Sequence, residues 1–355
     1  SRPHAPTPPR PTESGGKMGL LDGKVALVTG AGRGIGRGIA RLMAREGAAI
    51  VVNDLGTSLD GTGADVSVAE QVAKEIDPSG ERTVFNSHSV SDFDGAGAMI
   101  QQAIDEFGQI DIVVNVAGIL RDRMVFNMSP EEWQAVIDVH LKGTFNTCRW
   151  AAIRFRDQGT GGRLINFSSS SAFGAPGQPN YAAAKAGIIG LTLSCANALA
   201  RFGVTANAIL PAAATRMIDS IPRAREAALA ESGMLPSEVA VGTERDPDNV
   251  APIVAYLASD AAAEVNGHLF AAYGYNIALM SQPKIIKTLR ADHRWTVEEL
   301  CDVVPRAFEA ELAENPNQPG FGEAIRGIEE GRWVEVRPGL RFWGTKLEPY
   351  GEQVW

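Results

Sequence analysis

The sequence predicts a doubly wound parallel β-sheet with helices on both faces. Short runs rich in β-branched residues alternate with longer amphipathic stretches between about residues 20 and 275, an order typical of parallel α/β sheets. A glycine-rich turn joins the first run to the first amphipathic stretch, as it does at phosphate-binding sites. The composition, 45% hydrophobic and 21% charged, is that of a globular chain able to bury a large core.

Each element follows from local periodicity and from the turn residues around it. The predicted strands are 25–29, 50–53, 83–85, 112–115, 164–167, 204–209 and 268–271. The predicted helices lie near 35–46, 65–77, 94–107, 130–157, 180–201 and 247–258. Two connections are long: a Gly-rich loop at 55–64, and a helix-rich insertion at 212–245 that is either a lid or purely structural.

The two ends of the chain differ from this core. Residues 1–17 carry five prolines and little to bury, so we expect a disordered tail before a domain at 18–275. Residues 276–355 lose the alternation and include Trp295, Trp333 and Trp343. Because exposed tryptophans form apolar patches that monomers avoid, we expect this C-terminal extension to pack on the core or on a neighbouring subunit.

Charge and cysteine content exclude several classes of function. The formal net charge of −9 argues against a nucleic-acid partner, whose phosphates require concentrated Lys and Arg. No run approaches the ~18 apolar residues of a membrane span, so we expect no membrane partner and a cytoplasmic location. The cysteines, Cys148, Cys195 and Cys301, are far apart and without metal-ligand spacing, which favours free thiols and no metal site.

The glycine-rich turn predicts a dinucleotide site. Residues 29–36 read TGAGRGIG, which fits T-G-x-x-x-G-x-G through Gly30, Gly34 and Gly36. Glycine lets the backbone approach a pyrophosphate closely, and the helix that follows offers unpaired N–H groups at its N-terminus. Arg33 and Ile35 lie within the same turn and are predicted contacts of the cofactor. The alternative is a glycine turn that binds no ligand.

An acidic residue at the end of the second strand predicts the type of dinucleotide. Asp54 lies 20 residues beyond Gly34, where a carboxylate accepts hydrogen bonds from the ribose hydroxyls. Because a carboxylate repels a 2′-phosphate, NAD is favoured over NADP. Arg33 argues the other way, since its guanidinium is able to reach a phosphate.

A catalytic group is predicted after the fifth strand. Ser168 lies thirteen residues before Tyr181, and Lys185 follows Tyr181 at i+4 on one helix face. We expect the ammonium to lower the pKa of the phenol from about 10 and so to suit it for acid–base chemistry. The serine hydroxyl is expected to hold a carbonyl oxygen beside the phenol.

Taken together, these motifs resemble those of the short-chain dehydrogenase/reductase family, over about residues 20–275. The resemblance implies a single Rossmann-type domain that oxidises secondary alcohols, with Tyr181 as general acid/base, Ser168 polarising the carbonyl, and Lys185 tuning Tyr181 and gripping the nicotinamide ribose. It also implies further cofactor contacts at Leu55, Ser89, Val90, Asn115, Ala117, Gly118, Pro211 and Thr215.

One departure from the family pattern concerns His140. It stands where the family usually has a catalytic asparagine, so it is either a fourth catalytic residue or a buried core histidine. A narrower likeness, to the (3R)-hydroxyacyl-CoA dehydrogenase units of peroxisomal multifunctional enzymes, makes His140 a subfamily feature. In that likeness Arg121 and Arg123 either attract a CoA phosphate or are solvated and bridged to carboxylates.

The expected activity is NAD-dependent interconversion of a secondary alcohol and a ketone, with a 3-hydroxyacyl-CoA or hydroxysteroid substrate. Two alternatives remain: a catalytically idle NAD sensor or scaffold, and a 3-oxoacyl-thioester reductase that uses NADPH. The family resemblance also implies a homodimer or homotetramer.

Overall fold

The computed structural model describes residues 19–283, 285–313, 333–337 and 340–343. The expected tail at 1–17 lies outside the described residues. The chain divides into two compact units, one ending at Gln282 and one beginning at Pro283.

The first unit contains one eight-stranded sheet with helices on both faces. Its strands are β1 Val25–Thr29, β2 Ala49–Asn53, β3 Thr83–Asn86, β4 Ile112–Asn115, β5 Gly162–Phe167, β6 Val204–Ala212, β7 Leu269–Tyr273 and β8 Asn276–Leu279. Its α-helices are α1 Gly34–Arg45, α2 Ser67–Ile76, α3 Phe93–Phe107, α4 Pro130–Ile137, α5 Gly143–Gln158, α6 Pro179–Leu199, α7 Arg216–Asp219, α8 Pro222–Ser232, α9 Pro236–Val239 and α10 Ala251–Ala258. Each of the seven predicted strands is observed.

The strand order is β3-β2-β1-β4-β5-β6-β7-β8, and the strands are parallel except for β8, which pairs antiparallel with β7. The order reverses between β1 and β4, which opens the crevice at the carboxyl ends of the strands where open α/β sheets bind ligands. The predicted fold class is therefore confirmed.

The core has two layers because the sheet is covered on both sides. Val28, Val52 and Val114 face the layer that includes α1 and α10, whereas Leu27 and Val113 face the layer that includes α3 and α5. All residues of β1 and β4 are buried, so these strands read as continuous apolar runs, without alternation.

Strand β8 is a difference from the sequence prediction. Gly274, at φ +53°, reverses the chain after β7, and Asn276–Leu279 then adds an antiparallel edge strand. The compact unit consequently continues to Gln282 and does not end at 275. The short Asn-Ile-Ala-Leu sequence has one half-buried face only, which gives a weak strand signal.

A second difference is the long helix predicted at 130–157, which is interrupted. Between α4 and α5 the chain forms one π-helical turn at Asp138–Lys142. A π turn inserts an extra residue and often marks a functional position. Here it places His140 in the interior at 1% exposure.

Helix α6 carries two of the predicted catalytic residues. Together with the 3-10 turn after it, at 179–202, it is the one helix among the described residues that is long and apolar enough to span a bilayer. One of its faces is buried through Asn180, Ala184, Ile188 and Thr192, and it contacts β5 and β6. We therefore interpret it as a core helix of the α/β fold.

The second unit contains α11 Val297–Ala307, α12 Glu309–Ala313, β9 Trp333–Arg337 and β10 Leu340–Trp343. Helix α11 starts with a capping box in which Thr296 and Glu299 each satisfy the other's backbone N–H. Strands β9 and β10 pair antiparallel. The expected docking of the extension stays a prediction.

Candidate active site

A cavity of about 570 Å³ lies at the carboxyl ends of the central strands. It extends from the glycine turn after β1 to Tyr181 on α6, so the two predicted ends of the site share one space. Of the predicted residues, the cavity is lined by Gly30, Arg33, Gly34, Ile35, Gly36, Asp54, Leu55, Ser89, Val90, Ala117, Gly118, His140, Ser168, Tyr181, Lys185, Pro211 and Thr215.

Asn115 is the exception among the predicted cofactor contacts. It does not line the cavity and is 4% exposed. Its side-chain amide donates to Asn166 Oδ1 at 2.9 Å, and its oxygen accepts from Thr147 Oγ1 at 2.7 Å. Both ends of the amide are therefore used inside the fold, where the Asn115 side chain joins β4 to β5 and α5.

The backbone of the glycine turn fits a diphosphate. Gly30 and Gly34 have φ of +65° and +51°, in the left-handed region that favours glycine. A Cβ on Gly36 would lie 2.1 Å from the carbonyl oxygen of Gly30, so only glycine lets α1 start this close to the turn. No side chain caps the first N–H groups of α1, which leaves them for an anion.

The carboxylate of Asp54 is fixed in the cavity by backbone donors. Its Oδ2 accepts from the Gly32 N–H at 2.8 Å, and its Oδ1 accepts from the Gly56 N–H at 2.7 Å. A Cβ on Gly32 would come 2.8 Å from this carboxylate, so a glycine is needed there. Each oxygen keeps a further lone pair, which suits acceptance from the two hydroxyls of a ribose.

Arg216 is a cavity residue that sequence analysis missed. It is half-buried and donates from Nη1 to the carbonyl of Thr57 at 2.9 Å. Burial and the neighbouring charge of Arg33 lower the pKa of Arg216, while the charge of Asp54 opposes that shift. No spacing rule predicts such an arginine, because the contact joins positions 159 residues apart.

Tyr181 and Lys185 lie together as predicted, but their electrostatics differ from the prediction. Lys185 is 4% exposed, and its Nζ donates to the Phe167 carbonyl at 2.6 Å and lies 5.4 Å from the centroid of the Tyr181 ring. Burial lowers the pKa of Lys185 to about 7. Burial also raises the pKa of Tyr181 to about 12, and a hydrogen bond from Ser169, which lowers this pKa, opposes only part of the shift.

The expectation that the ammonium lowers the phenol pKa is therefore wrong for this structure. Lys185 is directed at a backbone carbonyl and lies over the phenol ring, and Asp122 contributes a further charge that raises the pKa of Tyr181. Tyr181 is thus held as a neutral phenol, able to donate a proton.

Ser168 lines the cavity as predicted, but it is the next residue, Ser169, whose hydroxyl interacts with the phenol of Tyr181. Ser168 is 2% exposed and its hydroxyl donates to the Lys185 carbonyl at 2.9 Å, which ties β5 to α6. Ser169 hydrogen-bonds to Tyr181, and its Oγ accepts from the Ser171 N–H at 3.1 Å. The spacing of thirteen residues selects Ser168, but four consecutive serines make a spacing argument uncertain by one position, and only the backbone path decides.

His140 is buried beside Tyr181 with one nitrogen unpaired. Its Nε2 contacts the backbone of Ile119, at 2.8 Å to the oxygen and 3.1 Å to the nitrogen. Nδ1 has no hydrogen-bond partner, and the ring meets that of Tyr181 edge-on at 5.0 Å. Burial and the charge of Lys185 lower the pKa of His140 to about 3, so the ring is neutral. A Cβ on Gly118 would lie 2.4 Å from Cε1 of the ring, which explains the glycine there.

Arg121 and Arg123 are engaged within the protein. Arg123 Nη2 pairs with Glu132 at 2.9 Å, and Arg121 Nε donates to the Asp60 carbonyl at 2.9 Å. The structure therefore shows Arg123 bridged to a carboxylate, as one of the two alternatives has it, whereas Arg121 bonds to a backbone carbonyl.

Comparison with known proteins agrees with this geometry. Residues 30–276 match the family model described as enoyl-(acyl carrier protein) reductase. The chain is 43% identical over 289 residues to hydroxyacyl-CoA dehydrogenase ChsB1 of Mycobacterium tuberculosis, covering 79% of this chain and 87% of that protein. It is 42% identical to peroxisomal multifunctional enzyme type 2 of Drosophila melanogaster, covering 74% of this chain and 41% of that longer protein. A crystal structure of a short-chain dehydrogenase from Mycobacterium avium is similar at 40% identity and a TM-score of 0.69, covering 82% of this chain and 96% of that one.

Proposed function

Because the chain belongs to the short-chain dehydrogenase/reductase family, we propose that it interconverts a 3-hydroxyacyl-CoA and the 3-oxoacyl-CoA, with NAD as the cofactor. The observation that carries this proposal is the single cavity that Asp54 and the glycine turn share with Tyr181 and Lys185. The CoA thioester is inferred from the name of the M. tuberculosis relative, whose length this chain covers to 87%.

The cofactor assignment rests on Asp54. The glycine turn and the N-terminus of α1 would hold the diphosphate, Asp54 the adenosine ribose, and Lys185 the nicotinamide ribose. Two backbone N–H groups fix the Asp54 carboxylate in place. Its negative charge would therefore stay close to the 2′-phosphate of a bound NADP and repel it. When bound, the nicotinamide exchanges a hydride with the carbinol carbon of the substrate.

The protein's own part is to hold the carbonyl oxygen and to move a proton. Ser169 accepts from the Ser171 N–H, and on substrate binding its one hydroxyl proton would turn from the Tyr181 oxygen to the substrate oxygen. Tyr181, with its pKa raised to about 12, donates a proton when the ketone is reduced. In the oxidation direction the phenol must first lose its proton, and Lys185, with a pKa of about 7, is the neighbouring group that is able to exchange one.

His140 completes this proton path. Its unpaired Nδ1 is buried next to Tyr181 and requires a partner that the protein does not supply. A water hydrogen-bonded to Nδ1 would satisfy this atom and would be placed to pass protons between the region of Lys185 and solvent. Because the ring is neutral, His140 positions that water and does not itself titrate near neutral pH.

An apolar surface near the site suits an acyl chain. Met124, Val125 and Phe126 are 47%, 70% and 76% exposed, and Phe173, four residues after Ser169, is 58% exposed. The Arg123 N–H donates to the Gly177 carbonyl at 2.8 Å, which holds the loop of Met124 beside the segment that leads into α6.

An assay of NADH absorbance tests the proposal. The enzyme is supplied with NAD and, in turn, with 3-hydroxyacyl-CoAs, 17β-hydroxysteroids and small cyclic alcohols. We expect the highest kcat/KM with a 3-hydroxyacyl-CoA. A higher kcat/KM with a hydroxysteroid would make a hydroxysteroid, and not a 3-hydroxyacyl-CoA, the proposed substrate. NAD binding without turnover of any of the three would favour the idle sensor or scaffold.

The second candidate is a 3-oxoacyl-thioester reductase that uses NADPH. Two cationic side chains, Arg33 and Arg216, lie close to Asp54 and favour it, since both are able to pair with a phosphate. The ratio of kcat/KM for NAD to that for NADP discriminates the two candidates.

The assembly and location are proposals as well. We propose a cytoplasmic homodimer or homotetramer with the C-terminal extension packed on the core or the partner subunit. Light scattering of the full chain should give the mass of two or four copies, and a monomeric mass would contradict it.

A further inference from the structure

The structure assigns to Arg216 the role of a latch that closes the cavity over the cofactor and binds its diphosphate. This inference rests on the proposed dinucleotide function and adds a residue to it. Arg216 is the first residue of α7, at the start of the insertion 212–245, and its guanidinium reaches the Gly-rich loop 55–64 through the Thr57 carbonyl at 2.9 Å.

The contact joins the two long connections of the fold across the cavity. Arg216 and Thr57 both line the cavity, and so do Met217 and Val241 from the insertion and Leu55 from the loop. The bond between the insertion and the loop therefore forms part of the wall of the cavity in which a dinucleotide would lie. Within the described residues 19–283, the hydrogen bond from Arg216 to the Thr57 carbonyl is the one that connects the insertion 212–245 to the loop 55–64.

The loop that Arg216 grips is itself held by its surroundings. Its ends meet where the Asp65 N–H donates to the Leu55 carbonyl at 3.0 Å. On the catalytic side, Leu59 accepts from the Leu120 N–H at 3.0 Å, one residue after the Ile119 backbone that contacts His140. The loop thus provides a fixed anchor for Arg216, between the adenosine end and the catalytic end of the cavity.

The positive charges of Arg33 and Arg216 favour an anionic ligand beside them. Arg33 also donates to the Thr57 carbonyl, at 3.3 Å, so two guanidinium groups converge on one backbone oxygen. Each uses one of its five N–H donors there, which leaves several for a ligand. Two like charges this close are unfavourable unless anions lie near them. The Asp54 carboxylate supplies one negative charge, and the diphosphate of a dinucleotide would add two more at the adjacent glycine turn.

Rates and affinities of binding test the latch without any turnover. Dissociation of NADH is followed by fluorescence in stopped flow, and the Kd values of ADP-ribose and of adenosine are measured by calorimetry. The variants are Arg216→Ala and Arg216→Lys, with Arg223→Ala as control, because Arg223 is exposed on α8 of the same insertion. Thermal unfolding of each variant checks that the fold is intact.

We expect Arg216→Ala to release NADH about 10- to 100-fold faster and to weaken ADP-ribose by a similar factor, the effect of one lost hydrogen bond to a charged group. Adenosine, which has no phosphate, should bind as before. Arg216→Lys should be intermediate because it keeps the charge but not the planar fork, and Arg223→Ala should match the wild type.

Three results would overturn the latch: unchanged NADH release in Arg216→Ala, an equal effect in Arg223→Ala, or adenosine weakened as much as ADP-ribose. Failure of the wild type to bind any dinucleotide is a different result. It would refute the proposed function itself, whereas tight NADH binding with an unaffected Arg216→Ala refutes the latch alone.

Discussion

The cofactor end and the catalytic end of the cavity are built by different means. At the cofactor end, the backbone makes the site: Gly30, Gly34 and Gly36 set its shape, and two N–H groups fix Asp54. At the catalytic end, side chains from separate elements make it, and burial controls the ionisation of Tyr181 and Lys185. Spacing along the chain therefore describes the first end well and the second only in part.

Substitution of the phenol should have the largest effect at the catalytic end. We expect Tyr181→Phe to lower kcat by about 10²- to 10⁴-fold, the contribution of a positioned proton donor, while the Kd of NADH stays the same. Steady-state kinetics and NADH titration measure the two quantities. Wild-type turnover in this variant would remove Tyr181 from the mechanism.

The neighbouring serines form a matched pair that sharpens the comparison. Ser169→Ala should reduce kcat by about 10²- to 10³-fold, because it removes a donor to the substrate oxygen. Ser168→Ala should leave kcat within a few fold and lower the free energy of unfolding by about 1 kcal/mol, the cost of its bond to the Lys185 carbonyl.

Kinetics and urea denaturation of both serine variants separate these outcomes. A greater loss of kcat in Ser168→Ala than in Ser169→Ala would restore the assignment that spacing predicts.

A buried neutral histidine should also leave a mark on stability. The pKa of His140 is about 3 in the folded chain and 6.5 ordinarily, so the unfolded chain binds more protons between these values. Stability should therefore fall as the pH drops from 6.5 towards 3, by about 2 kcal/mol at pH 5 from this group. His140→Asn should remove that part of the decline in urea unfolding measured at pH 7 and pH 5.

The same shift changes what a pH–rate profile reports. A neutral His140 gives no limb near 6.5, so a limb near 7 belongs to Lys185 and should persist in His140→Asn. We expect His140→Asn to keep much of the activity and His140→Leu to lose it, because leucine cannot bind the water. Equal activity in both variants would make His140 a core-filling residue.

The smallest effect is expected at the cofactor end, where substitution of Asp54 should change the preference for NAD over NADP. Asp54→Ala should reduce the ratio of kcat/KM for NAD to that for NADP by about tenfold, because it removes hydrogen bonds to the ribose and the repulsion of a 2′-phosphate. Asp54→Asn is the control, since it keeps one acceptor for the backbone. A wild-type enzyme that prefers NADP would show that Arg33 and Arg216 outweigh Asp54.

The fold, like the site, was predictable from the sequence where the local signal is strong and not where it is weak. Central strands such as β1 and β4 are buried on both faces and were predicted at their observed bounds. A short continuous apolar run between turn residues is typical of a buried strand. Strand β8 was missed because an edge strand with one half-buried face carries little signal. The π turn at Asp138–Lys142 was missed because one extra residue in a helix barely changes its periodicity.

In the site, the sequence identified those residues whose neighbours are local. The glycine turn and the pair of Tyr181 and Lys185 depend on contacts within one turn or one helix, and Asp54 was identified from its place at the end of β2 although its partner Gly32 lies 22 residues away. Ser169, Arg216 and the inward Asn115 depend on which elements meet in space, as does the pKa of Tyr181. No local pattern encodes these contacts, because their partners are distant in the chain.

Transfer of a labelled hydride tests most directly whether the two ends of the cavity serve one reaction. The wild-type enzyme is incubated with NAD and a 3-hydroxyacyl-CoA deuterated at C3, and the NADH is analysed by mass spectrometry. The proposed function predicts NADH that carries the deuterium, formed by the wild type and, at about 10²- to 10⁴-fold lower rate, by Tyr181→Phe. If the enzyme binds NAD and the thioester but forms no deuterated NADH, the assignment of this cavity to alcohol oxidation is contradicted.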